Sequence, residues 1–415
     1  MLRTDVAVVG AGPAGCAAAI TLARAGRDVT LVDRATFPRD KCCGDGLTTA
    51  ALRLLEDLGL EPAAVPSWTE VAAACVRSPS GRTVRFPLPA GQGQYAAIAP
   101  RIELDAALVD QARAVGVKVH DGHRLTGARP DGDRMTLAID GLGSVEARFA
   151  VGADGMWSPL RKALGLATPG YLGEWHAFRQ YLTGVTGAAR HSLWVWFEAD
   201  LLPGYAWSFP LPDGRVNVGF GVHRDGARLG REMAQVWSDL LARPHIASAL
   251  GPRVRAEAPH KAWPIPARVD RAVLSDASGR ALFVGDAACA TDPLTGEGIG
   301  QALLTGRLAA DAILAAGALQ PDLAAARYRA AVAHEWLPDH RMAAALSRLL
   351  QHPRAARGAI RVAGASGWTR RSFGRWLFED EPRAAAITPG RWHRHFLARA
   401  GAYAPGYRPG RCAPA

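Results

Sequence analysis

The first third of the chain alternates short apolar runs with stretches of helical spacing. Val6 to Val9 is an uninterrupted apolar run and predicts a strand. Cys16 to Ala23 reads as helix, and Val29 to Val32 as a second strand. A helix is expected from Thr48 to Leu58, stopping at Gly59. Arg101 to Ala114 has amphipathic spacing and stops at Gly116. Val117 to His120 then reads as strand, β-rich sequence follows to about 150, and Phe149 to Gly155 is a strand running into a turn. Residues 66–94 alternate polar and apolar positions between Pro and Gly breaks, which predicts short strands. From 170 to 265 the texture changes. Trp194, Trp196, Trp207, Phe209 and Trp263 fall among short strand-like runs, the pattern of an antiparallel sheet forming a wall. Ala281 to Asp286 returns to a buried strand, and an alanine-rich helix follows from about Gly298 to Ala316. The sequence beyond about 320 reads mostly helical, with a Pro/Gly-rich tail from about 400 and no internal repeat.

This order predicts an α/β protein: a Rossmann-like domain, an inserted antiparallel β-sheet domain that handles substrate, and a helical C-terminal region. The expected division is 1–65, 95–165 and 270–340 for the discontinuous nucleotide domain. Residues 66–94 and 166–269 then form the β-rich domain, and 341–415 the helical region with its tail.

The turn between the first strand and helix carries the first chemistry. Gly10-Ala-Gly12-Pro-Ala14-Gly15 follows the apolar run directly. The first glycine permits a tight turn, the second lets backbone approach a pyrophosphate, and the third lets helix and strand pack closely. The helix N-terminus then offers unpaired N–H groups and partial positive charge to phosphate. Asp33, 18 positions beyond Gly15, ends the second strand with a carboxylate suited to a ribose 2′-OH; Arg34 follows it. A dinucleotide site is expected; the alternative is a tight turn without ligand.

Composition changes this picture little. The 415 residues are 49% hydrophobic and 21% charged, with room for two or three cores. No run approaches 18 uninterrupted apolar residues, so no membrane-spanning helix is expected. The chain opens almost directly on a strand, so a signal peptide is not expected and a cytoplasmic location is. Cys16, Cys42, Cys43, Cys75, Cys289 and Cys412 show no metal-ligand spacing and are expected as reduced thiols. Net charge is +11, carried mostly by arginine. It serves solubility or attraction to an anionic membrane face. No nucleic-acid recognition module is present. From Trp368 to Ala415 nine arginines stand against three acids, interleaved with Phe373, Trp376, Phe378, Trp392 and Phe396. Such a segment suits a lipid headgroup boundary, or is an ordinary solvated cap.

Three later segments narrow the expectation from a generic nucleotide fold to a flavin site. They are Gly152-Ala-Asp154-Gly155 with Arg161 on the following helix, Gly285-Asp286 at a strand end, and Asp292-Pro293-Leu-Thr-Gly296-Glu-Gly298-Ile299-Gly300 entering a helix. An acid at a strand end binds ribityl or ribose hydroxyls, and glycines before a helix let backbone N–H groups reach a flavin edge.

The combination resembles the FAD-dependent oxidoreductases of the aromatic-hydroxylase-like superfamily, up to about residue 340. The resemblance implies that Gly10, Gly12, Ala14, Gly15, Asp33 and Arg34 hold the ADP half of FAD. It assigns cofactor contacts to Arg101 and Asp154, and the ribityl and pyrophosphate region to Gly285 and Asp286. Pro293, Gly296, Gly298 and Ile299 would border the isoalloxazine. Two further segments narrow the match: Lys41-Cys42-Cys43-Gly44-Asp45-Gly46, and Tyr205-Ala-Trp207-Ser-Phe209-Pro210 followed by Gly219-Phe220-Gly221. Together they resemble the geranylgeranyl reductase family, which saturates isoprenoid C=C bonds with reduced FAD. Flavin halogenases carry Trp-x-Trp-x-Ile-Pro instead.

By this resemblance Tyr205, Trp207, Phe209, Pro210 and Phe220 form the substrate wall, with Tyr205, Trp207 and Cys43 in catalytic roles and Gly44 beside the flavin. Aromatic faces can steady developing positive charge on an alkene. Cys43 either relays a proton, contacts the isoalloxazine or simply packs, and a shift of one would exchange it with Cys42. The leading reading is reduction of a polyprenyl chain of geranylgeranyl or menaquinone type. A monooxygenase or halogenase acting on a hydrophobic or aromatic substrate is the alternative, and a non-catalytic flavin-binding scaffold the third. NAD(P)H or a ferredoxin is expected as electron donor, with peripheral membrane contact as a further expectation.

Overall fold

A computed structural model describes residues 2–89, 93–224 and 230–389. Its first sheet has the parallel centre that the opening apolar runs predict. Leu2–Val9 lies between Val29–Asp33 and Gly143–Gly152, parallel to both, and Lys118–Asp121 extends the sheet beyond Val29–Asp33. Ala281–Phe283 pairs in parallel with the other edge of Gly143–Gly152, so residues more than a hundred positions apart complete one sheet. Arg134–Ile139 and Leu125–Asp131 add antiparallel strands to the same sheet. The central strands are apolar on both faces because helices cover them. Val8, Leu31, Ala150 and Leu282 are fully buried.

Pro13–Arg24 is the helix after the glycine turn, and it packs against Ile299–Ala316. Close packing at the two sides of the first helix depends on two missing side chains. A Cβ on Gly15 would lie 1.8 Å from the Gly10 carbonyl oxygen, and one on Gly306 2.1 Å from that of Ala14. Ile299–Ala316 is long and apolar enough to cross a membrane by length and composition, yet 72% of it is buried within this protein. The expected helices at Thr48 and Arg101 form as Thr49–Asp57, capped by the Thr48 hydroxyl, and Arg101–Ala114.

The second sheet is mixed rather than purely antiparallel. Trp175–Thr183, Val216–His223, Tyr205–Pro210 and Leu193–Trp196 run antiparallel in that order. Leu193–Trp196 then pairs in parallel with Ala73–Arg77, whose hairpin partner is Thr83–Pro87. The departure arises because Ala73–Arg77 enters from a distant part of the chain. The 166–269 stretch also holds two helices, Gly230–Ala242 and Pro244–Leu250. Trp237 of the first packs on Phe220. A small third sheet joins Gly46–Thr48, Ala96–Ile98 and Thr69–Glu70, so part of 66–94 pairs away from the second sheet.

The helices Pro321–Glu335, Leu337–Leu350, Pro353–Ala363 and Gly367–Leu377 follow, as the sequence beyond 320 predicts. Trp392, Phe396, Cys412 and the tail from about 400 lie outside the described residues. The remaining five cysteines are free thiols. Among the described residues no cluster of three or more His, Cys, Asp or Glu side chains is placed to hold a metal ion.

Candidate active site

One cavity of about 870 Å³ runs from the glycine turn, past the second sheet, to the C-terminal helices. Gly10, Gly12, Ala14, Asp33 and Arg34 line its first end, with Arg101, Asp154, Gly285 and Asp286. Gly10 has φ +103°, and a Cβ there would meet the Ala153 carbonyl oxygen at 2.3 Å, so only glycine lets the turn close on the neighbouring strand end. Gly15 is not on the cavity wall and acts through packing. Asp33 accepts the backbone N–H groups of Ala11 (2.7 Å) and Ala35 (2.8 Å), which aims its carboxylate along the cavity.

Gly12 faces two guanidiniums across the cavity. A Cβ placed on it would sit 3.6 Å from Nη2 of Arg39 and 4.0 Å from Nη2 of Arg101. Both guanidiniums are held by Asp105, which is fully buried. Arg101 bonds it through Nε and Nη2 at 2.7 and 2.8 Å, and Nη1 of Arg39 lies 2.8 Å away. No side chain caps the helix that starts after Gly12. An uncapped helix N-terminus flanked by two guanidiniums is chemistry that fits a pyrophosphate.

The middle of the cavity is built around Asp45. This residue is fully buried at φ +65° and accepts bonds from the Tyr181 hydroxyl (2.5 Å), the Asn217 amide (2.6 Å) and the Arg101 backbone N–H (3.2 Å). Burial pushes its carboxyl up to about 6 against those bonds. Its own N–H donates to Cys43 Sγ at 3.3 Å, and Asn217 also donates to the Cys43 carbonyl. Cys42 and Cys43 both line the cavity. Cys42 donates to the Lys261 carbonyl, and Cys43 faces Arg101, Asp45 and Glu297. Burial pushes the Cys43 thiol up to about 12 and that of Cys42 to about 11, so both are neutral thiols. Lys41, lowered to about 8 by burial, lies 3.5 Å over the Trp263 ring.

Tyr205, Trp207 and Phe209 lie on one face of their strand, as alternation requires, and all three line the cavity beside Gly44. The Tyr205 hydroxyl donates to the Thr295 carbonyl, tying the wall to the turn at 292–298. Trp207 donates to Asn217 at 3.1 Å. Gly219 and Gly221 stand opposite Trp207 and Tyr205. A Cβ on Gly219 would lie 2.2 Å from Trp207 Cζ2.

Besides Gly15, three expected site residues do not reach the cavity. Phe220 pairs with Ala206, so the period of two turns it to the opposite face, fully buried and stacked on Phe178 and Trp237. Pro210 points the same way for the same reason. Pro293 is buried beneath the turn, whose neighbours Leu294, Thr295 and Gly296 line the cavity instead with Gly298 and Ile299. Asp154 lines the cavity, but its carboxylate is occupied by the Ser158 hydroxyl (2.5 Å) and Leu160 N–H (2.8 Å). Its local task is capping the short helix that carries Arg161, which bonds the Ala287 carbonyl.

Sequence reasoning gave no role to Arg39, Asp45, Tyr181, Asn217 or Glu297. Arg39, Asp45 and Glu297 stood within or beside motifs already singled out. Nothing near Tyr181 or Asn217 in the chain marks them.

The arginine–aromatic segment is turned partly inward. Phe373, Trp376 and Phe378 line the far end of the cavity, with Leu346, Leu350 and Ile360. Arg383 is buried and bonds Asp292 and Glu379.

The described geometry can be set against known proteins. Residues 3–310 match the model of the FAD binding domain family. A menaquinone reductase of Mycolicibacterium smegmatis is 35% identical over 336 residues, covering 76% of this chain and 77% of that protein. Digeranylgeranylglycerophospholipid reductase 2 of Methanopyrus kandleri is 30% identical, covering 81% and 82%. Among solved structures, a geranylgeranyl bacteriochlorophyll reductase-like protein of Thermoplasma acidophilum superposes with a TM-score of 0.78 at 18% identity, over 93% of this chain and 98% of that one. A flavin-dependent halogenase superposes less closely, at a TM-score of 0.65 over 95% and 74%. The paired guanidiniums, the uncapped glycine turn and these likenesses agree on one cofactor, FAD. The chain belongs to the FAD-dependent oxidoreductases, in the geranylgeranyl reductase family.

Proposed function

We propose that this enzyme saturates C=C bonds of a polyprenyl chain, of geranylgeranyl or menaquinone type. The observation that carries this reading is the continuity of one cavity. A phosphate-fitting cradle at one end, an aromatic wall in the middle and aliphatic helices at the other suit a flavin followed by a long apolar chain. Reduced FAD supplies the hydride. The protein's part is to hold the alkene against Tyr205, Trp207 and Phe209, exclude water and provide a proton. The test is anaerobic. Flavin reduced in the holoenzyme is expected to reoxidise when a prenyl substrate is added, with a product two mass units heavier for each bond reduced. A gain of sixteen units that requires oxygen would instead identify a monooxygenase.

The electron donor in this proposal is NAD(P)H or a ferredoxin, and rapid mixing with each will distinguish them by the rate of flavin bleaching.

We place the substrate's entry at a membrane surface. Leu349 and Ala359 line the cavity and are also exposed, so the cavity opens to the surface at that end. Around it Val362 and Trp368 are each 68% exposed, among exposed Arg354, Arg357, Arg361, Arg370 and Arg371. Apolar tips among guanidiniums suit an anionic lipid surface. The protein is expected to pellet with phosphatidylglycerol vesicles at low salt and to be released at high salt. Equal recovery in the supernatant with and without vesicles would count against this.

A further inference from the structure

A second set of ionisable groups lies against the cavity where the C-terminal segment meets the turn at 292–298. Asp292, Glu297 and Glu379 are three carboxylates brought together with one guanidinium, Arg383. Arg383 is committed. It bonds Asp292 and lies 3.1 Å from Glu379, which also accepts from the Thr48 hydroxyl at 2.9 Å. Asp292 further accepts the N–H groups of Leu294 and Thr295. Glu297 has no cation of its own. Its Oε1 accepts the Gly300 N–H at 2.9 Å, and its Oε2 has no hydrogen-bond partner among the described residues. Burial raises the carboxyls of both Glu297 and Glu379, and Arg383, paired with Glu379 and not with Glu297, favours the proton on Glu297. Burial and the neighbouring Glu379 both raise the Glu297 carboxyl.

Glu297 lies deep in the molecule but keeps accessible surface, and it is a lining residue of the cavity. The groups that face it are Cys43 from the 42–45 loop, Tyr205 from the wall strand, Glu379 and Arg383 from the C-terminal segment, and Asp292 from its own turn. Cys43 and Tyr205 are the other protic groups there. A thiol near 12 is a poor proton donor, and the Tyr205 proton is engaged by the Thr295 carbonyl.

We propose that Glu297 is the acid that protonates the substrate double bond. This rests on the reading of the enzyme as a prenyl reductase. The alkene gains a proton from Glu297 at one carbon and a hydride from reduced FAD at the other. Two C–H bonds form and the π bond breaks. The flavin is oxidised by two electrons, the substrate is reduced by two, and Glu297 is left as a carboxylate that regains its proton from solvent before the next turnover. Arg383 acts as a positioning residue: by neutralising Asp292 and Glu379 it leaves the proton on Glu297.

The test compares wild type, Glu297→Gln and Cys43→Ser as FAD-loaded proteins. In anaerobic single turnover, Glu297→Gln is expected to slow flavin reoxidation on the order of 10²-fold or more, the usual weight of a general acid. Cys43→Ser, which keeps the Glu297 proton, is expected to keep the wild-type loss of rate at alkaline pH. The wild-type rate should fall on the alkaline side as Glu297 loses its proton, and that limb should vanish in Glu297→Gln. Infrared spectra of the holoenzymes without substrate should show a protonated-carboxyl band in wild type that Glu297→Gln lacks. A Glu297→Gln rate within about threefold of wild type overturns the proposal, as does an unchanged carboxyl band. Wild type that reduces no prenyl substrate overturns the functional reading itself, and the infrared band separates that failure from the first.

Discussion

Arg101→Ala is expected to give a protein that no longer retains FAD and unfolds at lower urea. Arg101 is buried and makes a two-pronged bond to Asp105, itself inaccessible to solvent. Removing it leaves Asp105 with Arg39 alone, whose side chain is 20% exposed. Stripping one partner from a buried ion pair costs on the order of 3 kcal/mol. The loss of FAD follows separately, because the Arg101 guanidinium borders the space in front of Gly12. Flavin absorbance after desalting reads the first effect, and the urea midpoint the second. A yellow, fully stable Arg101→Ala protein would remove the guanidinium pair from cofactor binding.

Gly219→Ala is expected to keep FAD and lose turnover. The added Cβ would meet Trp207 Cζ2 at 2.2 Å and the Phe178 carbonyl oxygen at 2.3 Å. The Phe178 contact is backbone of the neighbouring strand, so the indole moves and the sheet is strained by about 1–3 kcal/mol. Trp207 is anchored to Asn217, which also holds Asp45 and the Cys43 carbonyl. A displaced indole therefore disturbs the wall and the 43–45 loop together. Misplacement by about 1 Å at a reacting centre costs on the order of 10²-fold in rate. Retained flavin absorbance with a changed near-ultraviolet dichroism and lost prenyl reduction is the expected combination. Full activity would show that the flat seat of Trp207 is dispensable.

The two halves of the site differed in how far the sequence revealed them. The cofactor half was readable because its parts are local. Gly10, Gly12 and Gly15 fall in one turn, and Asp33 ends the next strand, so spacing alone relates them. The substrate half depends on which face each strand presents. Trp207 and Phe209 reach the cavity while Phe220 and Pro210 do not, and the register that pairs Phe220 with Ala206 decides this. No residue near Phe220 announces that register. Pro293 failed for a related reason, since the turn presents Leu294, Thr295 and Gly296 to the cavity and packs Pro293 behind them.

Long-range polar pairing was invisible. Arg383 meets Asp292 across 91 positions, and Tyr181 meets Asp45 across 136. The arginines after Trp368 looked alike in sequence. The fold divides them, sending Arg383 into the core with Phe373 and Trp376 on the cavity side and leaving Arg370 and Arg371 outside.

One cavity is expected to hold FAD and a prenyl chain end to end. A crystal structure of the holoenzyme with a menaquinone or geranylgeranyl lipid tests it most directly. The isoalloxazine is expected between the turn at 296–299 and the wall of Tyr205, Trp207 and Phe209, with the chain passing Trp376 toward Ile360. A chain bound elsewhere, or a polar aromatic ligand filling the space beside Trp207 while prenyl lipids fail to enter, would contradict it.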